Sequence, residues 1–348
     1  MSLIDYAILK QKAKISREYE WVLNQYEGLL VKIRTAKNNE ENISEQLNEI
    51  ALNTSSKEIF SLLFKNGVSP NIKDNSGNSI ISNYLNHRST DSLKNPLKLV
   101  KYLVHQGCDV HATNNNNETA LFVSNSKTAG YLLKKGLDPN HINSFGENVL
   151  MKMVNTSDIL FFIKKGANVN VVNNQGRNLL FTHPEMLTLL DRETVLSIHN
   201  AAPKTNDGMN FLFPIFSSFS KNFMNTSYHD RAPDAYEQDQ LKFQKQIKKV
   251  EEYKIPVDYH AIDSEGNNLF RYCNTKEAFD VLVSKNVDIL HVNNAGQTVW
   301  DILKEKQFYN ESKETTNQIQ LVILSKEKEM LEKETNIVSP KIHLSKRI

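Results

Sequence analysis

The ten histidines are the first candidates for a metal site or a catalytic site, because imidazole can bind a metal ion or act as a general base. His111 and His260 lie where a recurring extended segment elsewhere has Asn, and His141 and His291 lie one position later. A zinc site needs further His, Cys or carboxylate ligands at regular spacings. No cysteine recurs beside these histidines, and together they do not form a zinc-binding motif. We therefore predict that they are variants at structural positions and that the chain has no metal site.

No motif of a known catalytic centre is present. The sequence lacks the GxxxxGK[ST] phosphate loop, the GxSxG nucleophile turn, the HExxH zinc motif and a CxxC pair. Residues 229–234 (HDRAPD) contain catalytic residue types, but they have no partners at a defined spacing and indicate a solvated loop. We predict a protein that is not an enzyme and needs no cofactor. The alternative is a catalytic module within residues 1–55 or 301–348, which are short, helical and rich in charge.

Composition limits the classes of partner. The 348 residues are 39% hydrophobic and 24% charged, with a net charge of +2 from 42 basic and 40 acidic side chains. No basic block provides an electrostatic footprint for nucleic acid, so we expect no nucleic-acid partner. Cys108 and Cys273 lie far apart in the sequence. A disulfide is therefore not expected, and a reducing cytosol fits the cysteine content.

Membrane insertion is not expected. Residues 1–6 lack the charged and apolar regions of a signal peptide. The longest apolar runs, such as residues 211–216, fall far short of the ~20 residues that span a bilayer. We expect a cytoplasmic protein, and secretion by a route that needs no cleavable signal stays open.

A five-residue phrase recurs seven times along the chain. Each copy begins with Gly or Asn, has a small polar residue at its third position and ends in two apolar residues. The copies are residues 77–81, 117–121, 146–150, 176–180, 208–212, 266–270 and 296–300. Their successive spacings are 40, 29, 30, 32, 58 and 30 residues. A period near 30 is typical of solenoids, in which each unit buries its apolar face only against its neighbours.

Before each phrase, a helical stretch ends in two bulky apolar residues, two polar residues and Gly. Examples are Leu132 and Leu133 before Gly136, and Phe162 and Ile163 before Gly166. Glycine is favoured in the left-handed conformation that follows a helix C-terminus. We predict a positive φ at both glycines and burial of the four apolar side chains.

This pattern resembles the ankyrin repeat, whose consensus runs Gly-Ala-Asp-Val-Asn, a turn, Gly-x-Thr-Pro-Leu-His, a short helix, and a second helix ending in Leu-Leu-x-x-Gly. The match is best from Gly107 to Gly176, where residues 166–170 (GANVN) are nearly consensus, and it is degenerate from Gly67 to Trp300. The resemblance implies an all-α solenoid of helix pairs with β-hairpin tips and helical caps at both ends. The short repeats and the Asn-, Ile- and Lys-rich composition resemble bacterial members of the family.

Departures from the consensus concern the first helix of each pair. The Pro and His of the helix-opening tetrapeptide occur in none of the seven units. The Thr position holds Ser79, Thr119, Asn148, Asn178, Asn210, Asn268 and Thr298. These residues can still cap a helix N-terminus. We expect first helices of about two turns and, without the histidine network, neighbouring repeats that depend mainly on apolar stacking.

The pattern divides the chain into five segments. We predict an N-terminal helical cap at 1–54, repeats at 55–215, an insertion with a helix at 216–254, repeats at 255–304 and a C-terminal cap and tail at 305–348. Apolar faces at helical spacing support the helices. The three faces are Ile15, Tyr19, Val22, Tyr26, Leu29 and Ile33; Phe243, Ile247, Val250 and Tyr253; and Ile319, Val322, Ile323, Met330 and Leu331.

Binding of a protein through the concave face is the function that the resemblance implies. The expected contact residues at successive hairpin tips are Asp74, Asn75, Asn115, Phe145, Asn174, Glu265 and Asn294. Phe145 is the expected anchor, because exposed aromatic side chains often dominate binding energy. The alternative is that Phe145 packs on the adjacent hairpin.

Aromatic residues in the insertion are the competing recognition element. Phe219, Phe223 and Tyr228, with Phe216 and Tyr236 beside them, either pack on the repeats or are held out for a partner. We expect a monomer that binds a protein, and we favour an immunity-type inhibitor of a cognate toxin, because no second domain is present to act on a captured target. The alternative is an effector that engages a host protein.

Overall fold

The computed structural model describes residues 3–14, 17–86, 96–217, 235–273, 276–301 and 313–337. This part of the chain is helical and contains no extended strand, and its isolated β-bridges are Lys73 with Ser79 and Val292 with Thr298. The chain divides into two compact units, Met1–Asn168 and Val169–Ile348. The five predicted segments stay predictions. No helix in the described ranges is both long enough and apolar enough to cross a membrane.

The first unit stacks helices in chain order. Its α-helices are α1 Leu3–Ala13, α2 Arg17–Asn38, α3 Ser44–Asn53, α4 Lys57–Lys65, α5 Ile80–Asn86, α6 Pro96–His105, α7 Ser126–Lys134, α8 Val149–Lys152 and α9 Thr156–Lys164, with a 3₁₀ helix at Ala120–Val123. α2 packs against α1 and α4, and α7 packs against α6 and α9. The longer helices therefore lie side by side, with single short turns between them.

The second unit is also helical and contains two long helices. Its α-helices are α10 Leu179–Thr182, α11 Arg192–Ala201, α12 Ala235–Glu252, α13 Lys276–Ser284 and α14 Lys313–Ile337, with 3₁₀ helices at Pro184–Thr188 and Leu269–Tyr272. Residues 212–217 and 299–301 are also helical. α12 packs against the 3₁₀ helix Pro184–Thr188. Its predicted apolar face is confirmed, because Phe243, Ile247 and Val250 are buried.

Glycine follows α7 and α9 as predicted. Gly136 and Gly166 have φ of 93° and 88°. In α7 the backbone N–H of Leu137 donates to the carbonyl of Leu132 at 3.3 Å, which is the hydrogen bond of a Schellman motif. Burial of the preceding apolar pair is only half confirmed. Leu132 and Phe162 are fully buried, but Leu133 and Ile163 are half-buried, because consecutive residues lie about 100° apart around a helix.

Among the first helices, α5 has 7 residues and so the predicted two turns, whereas four others are shorter than predicted. α8, α10 and the 3₁₀ helices Ala120–Val123 and Leu269–Tyr272 each have 4 residues, which is about one turn and not two. The chain leaves the helix at once, since Met153 and Cys273 already have extended ψ angles of 141° and 135°.

The two predicted terminal helices form, but they are not covered equally. In α2 the side chains of Val22, Tyr26, Leu29 and Ile33 are buried and Tyr19 is half-buried, as predicted, while Ile15 lies outside the described residues. In α14 Ile319 and Ile323 are buried and Val322 is half-buried. Met330 and Leu331 are exposed, so the predicted apolar face was wrong for the second half of this helix.

A buried histidine makes stability depend on pH. His199 in α11 packs edge-on against Phe211, and burial lowers its pKa against the opposing effect of a backbone hydrogen bond at Pro256. Because the unfolded chain takes up a proton at higher pH than the folded chain, this group destabilises the fold as pH falls from about 6.5 through the lowered pKa. We expect His199→Gln to lose less unfolding free energy than wild type between pH 7 and pH 5, measured by urea unfolding. His260→Gln, an exposed control, should follow wild type, and identical pH profiles for His199→Gln and wild type would contradict the assignment.

Candidate binding surface at the tips

Seven five-residue turns, called tips here, precede the first helices. They are residues 74–78, 114–118, 143–147, 173–177, 205–209, 263–267 and 293–297. In tip 143–147 the N–H of Asn143 donates to the carbonyl of Glu147 at 2.9 Å, and the Asn143 side chain accepts from the N–H groups of Phe145 and Glu147. The same pattern occurs with Asp74, Asn114, Asn173, Asp263 and Asn293 in first position. The first residue of each of these tips therefore builds its own turn.

Asp74, a predicted contact residue, holds this first position. Its carboxylate accepts from the N–H groups of Ser76 at 2.9 Å and Asn78 at 2.8 Å, and from the Asn78 side-chain amide at 3.0 Å. Burial acts to raise its pKa, but the hydrogen bonds from Asn78 and Ser76 outweigh burial and lower the pKa below its usual value. The carboxylate is thus engaged within its own tip.

The second residue of a tip connects it to the tip before. The side-chain amide of Asn115 donates to the carbonyl of Asn75 at 3.1 Å, and its backbone N–H donates to the carbonyl of Ser76 at 2.9 Å. In the second unit, Asn294 donates in the same way to the carbonyls of Ser264 and Glu265. The structure therefore brings the predicted contact residues Asn75 and Asn115 together, and likewise Glu265 and Asn294.

Asn206 is a connecting residue that sequence reasoning missed. Its side-chain amide donates to the carbonyl of Asn174, a predicted contact residue, at 2.9 Å, and its N–H donates to the carbonyl of Gln175 at 3.0 Å. Its register, two positions before Gly208, is the signal that could have identified it.

The predicted helix caps are confirmed, and most of them have a second role. Ser79, Thr119, Asn148, Asn178, Asn210, Asn268 and Thr298 all accept a hydrogen bond from a backbone N–H of the following helix. The asparagine caps also donate to carbonyls of the next repeat: Asn148 to Asn168 at 2.8 Å, Asn210 to Asp258 at 2.7 Å, and Asn268 to Asp288 at 2.7 Å. These amide hydrogen bonds act beside the apolar contacts, and the expectation that repeats depend mainly on apolar stacking stays a prediction.

Exposed apolar side chains flank these rigid turns. Phe145 at the third position of its tip is 50% exposed. The residue just before a tip is also an exposed β-branched residue in four cases, and sequence reasoning missed this row: Ile142 38%, Val172 36%, Ile262 47% and Val292 51%. This row could have been predicted from the alternation of side chains in an extended segment. The next residue, the Asn or Asp that forms the turn, is buried at each of these tips, so the residue before it faces solvent.

The four histidines make separate local contacts and do not form a shared site. The Nε2 atoms of His141 and His291 lie 2.7 Å and 2.6 Å from the carbonyl oxygens of Asn117 and Gly266, in the preceding tips. The backbone N–H groups of His111 and His260 donate to the carboxylates of Asp109 and Asp258. Across the described ranges, no group of three or more His, Cys, Asp or Glu residues could hold a metal ion.

The insertion contributes to the core at its start. Phe216 is fully buried and meets the ring of Phe243 edge-on at 5.2 Å, so this aromatic side chain packs on the fold. Phe219, Phe223 and Tyr228 lie outside the described residues, and so does the Tyr236 side chain.

Comparisons with known proteins do not assign the chain to a family. No protein-family model matches the chain, and a search of curated proteins finds no match.

Proposed function

We propose that each unit is a stack of degenerate ankyrin-type repeats. Three observations support this: the shared hydrogen-bond pattern of the tips, the left-handed glycines after the longer helices, and the amide hydrogen bonds that join successive tips. In a stack of this kind each repeat contacts its neighbours alone, so adjacent tips stay in fixed register.

We propose that the chain binds a protein partner through its tips and acts without catalysis. The observation that carries this is the exposure of Phe145 and, just before its tip, of Ile142. All five backbone N–H groups of tip 143–147 are hydrogen-bonded. A rigid backbone holds these side chains in place before a partner arrives, which reduces the entropy lost on binding. Apolar anchors surrounded by polar residues are the usual composition of a protein interface.

Inhibition of a cognate toxin is the form of this proposal that we favour. Tip side chains such as Asn75 and Asn174 remain exposed for a polar rim, and the aromatic ring of Phe145 provides an anchor. A toxin inhibitor needs no more than a surface that covers its target, and an interface of about 800 Å² per partner would be sufficient.

Phe145→Ala is expected to weaken partner binding by about 1–2 kcal/mol or more, which is about 5- to 30-fold in Kd. The ring is half exposed at a tip, so its removal takes away contact area without opening a cavity in the fold. The partner would be recovered by affinity capture from the native cell, and its Kd measured by isothermal titration calorimetry. Val154→Ala, which truncates a more exposed apolar residue outside the tips, should leave Kd unchanged.

Deletion of residues 217–236 distinguishes the two recognition elements. If the deletion abolishes binding while Phe145→Ala leaves it intact, the insertion is the recognition element and the tip proposal is wrong. If Phe145→Ala weakens binding and the deletion does not, the tips carry it.

A further inference from the structure

Helix α14 extends well past its last covered residue. Ile319 and Ile323 are buried, whereas residues 324–333 are all exposed. From Ile323 to the helix end at Ile337 the axis runs roughly 21 Å, at 1.5 Å per residue. The exposed residues 324–333 make up nearly three helical turns, and a helical segment this short is marginal by itself in water.

Three leucines form an exposed stripe on α14. Leu321, Leu324 and Leu331 are 64%, 50% and 61% exposed. Their spacings of three and seven residues place them at a, d and d of a heptad, within about 80° of one another around the helix. The covered isoleucines lie on a different face, so their burial leaves the leucine stripe uncovered.

Acidic residues flank the leucine stripe. With Leu321 at position a, Lys328 occupies the next a position, Glu327 occupies g and Glu332 occupies e, and all three are exposed. Lys328 and Glu332 form a loose pair at 3.9 Å in which both side chains are mostly exposed. Exposed pairs of this kind contribute little to stability, and Glu327 and Glu332 both lie at the surface beside the stripe.

We propose that the leucine stripe docks an amphipathic helix of a partner protein, with an apolar seam and Lys or Arg on both flanks. The apolar seam of the partner covers Leu321, Leu324 and Leu331, and its basic flanks meet Glu327 and Glu332. An acidic or amide side chain faces Lys328 in the seam.

Charge excludes a second copy of this chain as the occupant. A parallel pair of α14 helices would place Glu327 against Glu332 of the other copy and Lys328 against Lys328. An antiparallel pair sets g against g and e against e, which again brings glutamates together. Like charges at these positions disfavour pairing, and opposite charges select the partner. The stripe spans about two heptads, so the contact is small and suits a transient complex.

Two synthetic peptides test the proposal on the full chain. Both have three heptads with Leu at a and d; one has Lys at e and g, and the other has Glu there. Fluorescence anisotropy should show saturable binding of the basic peptide and at least tenfold weaker binding of the acidic peptide. Leu324→Ala should weaken binding of the basic peptide at least tenfold, and Met330→Ala, which truncates an exposed residue on another face, less than twofold.

A charge-reversed variant keeps the test independent of folding. Glu327→Lys with Glu332→Lys should reverse the preference, so that the acidic peptide binds more tightly than the basic one. Equal binding of both peptides, no binding of the basic peptide, or no effect of Leu324→Ala would overturn the proposal. A dimer in sedimentation velocity that Leu324→Ala dissociates would also overturn it, because a second copy would then occupy the stripe.

Discussion

Leu132→Ala is expected to lower the free energy of unfolding by about 2–5 kcal/mol, through lost burial and the cavity left behind. Leu132 is completely buried in α7, which packs against α6 and α9. Leu133, the next residue, is half-buried, so Leu133→Ala removes the same atoms from a site that solvent can partly fill. We expect its effect to be less than half as large.

Urea unfolding followed by circular dichroism measures both variants against wild type. The pair is matched in residue type, helix and substitution, so the difference reports the depth of burial at each position. Equal losses, or a larger loss for Leu133→Ala, would contradict the arrangement of α7 between its neighbours.

Features that the backbone itself demands could be predicted from the sequence. Gly136 and Gly166 take the left-handed conformation because a Cβ is unfavourable there, and this demand does not depend on the rest of the fold. Asn148 and Asn268 cap helices because their side chains are short enough to reach an N–H two residues later. Both demands are local, so residue type and spacing are enough to predict them.

Features that depend on which residues pack over a helix could not be predicted from the sequence. Met330 and Leu331 have the spacing of an apolar face, but spacing does not show how far along α14 the covering residues extend. The predicted length of the first helices was wrong for a related reason. The sequence shows that several repeats have fewer residues between their two helices than the consensus, but it does not show that α8 and α10 are single turns.

The tip residues show a further limit. An exposed Asn in a turn can bond to a partner or to the adjacent tip, and its sequence context is the same in both cases. Asn115 and Asn294 were predicted as contact residues, and the structure shows their amides donating to the preceding tips. Half of the Phe145 side chain is exposed at its tip, which is why it remains the stronger candidate for a partner.

Gly266→Ala is expected to destabilise the fold by about 1–3 kcal/mol more than Gly296→Ala. Both glycines have φ of 77°, so both substitutions share the roughly 1–2 kcal/mol strain of the left-handed conformation. A Cβ at Gly266 would lie 2.4 Å from Oδ1 and 2.8 Å from Cγ of Asn294, whereas a Cβ at Gly296 would have nothing within 4 Å. The additional loss is the strain of overpacking where two tips meet.

Tip 114–118 shows how the chain avoids this clash when Gly is absent. Asn117 holds the fourth position of this tip with φ of 58°. The second position of the next tip, which is Asn294 in tip 293–297, is Ser144 here. The Asn117 amide donates to the carbonyl of Ile142 at 2.9 Å, so its side chain occupies space that a second-position Asn would need. A Cβ at Gly77, Gly176 or Gly266 would meet the Asn at the second position of the next tip, whereas a Cβ at Gly208 would meet Ile262. We therefore expect Gly and Asn to be coupled in those three pairs.

A double-mutant cycle tests this coupling. Asn294→Ser alone should lose about 0.5–1.5 kcal/mol, because its amide no longer donates to the carbonyl of Ser264. In that background Gly266→Ala should approach the effect of Gly296→Ala, giving a favourable interaction energy of at least 0.5 kcal/mol in urea unfolding. Additive losses would show that backbone conformation alone requires Gly266, and that the close approach of Asn294 does not select it.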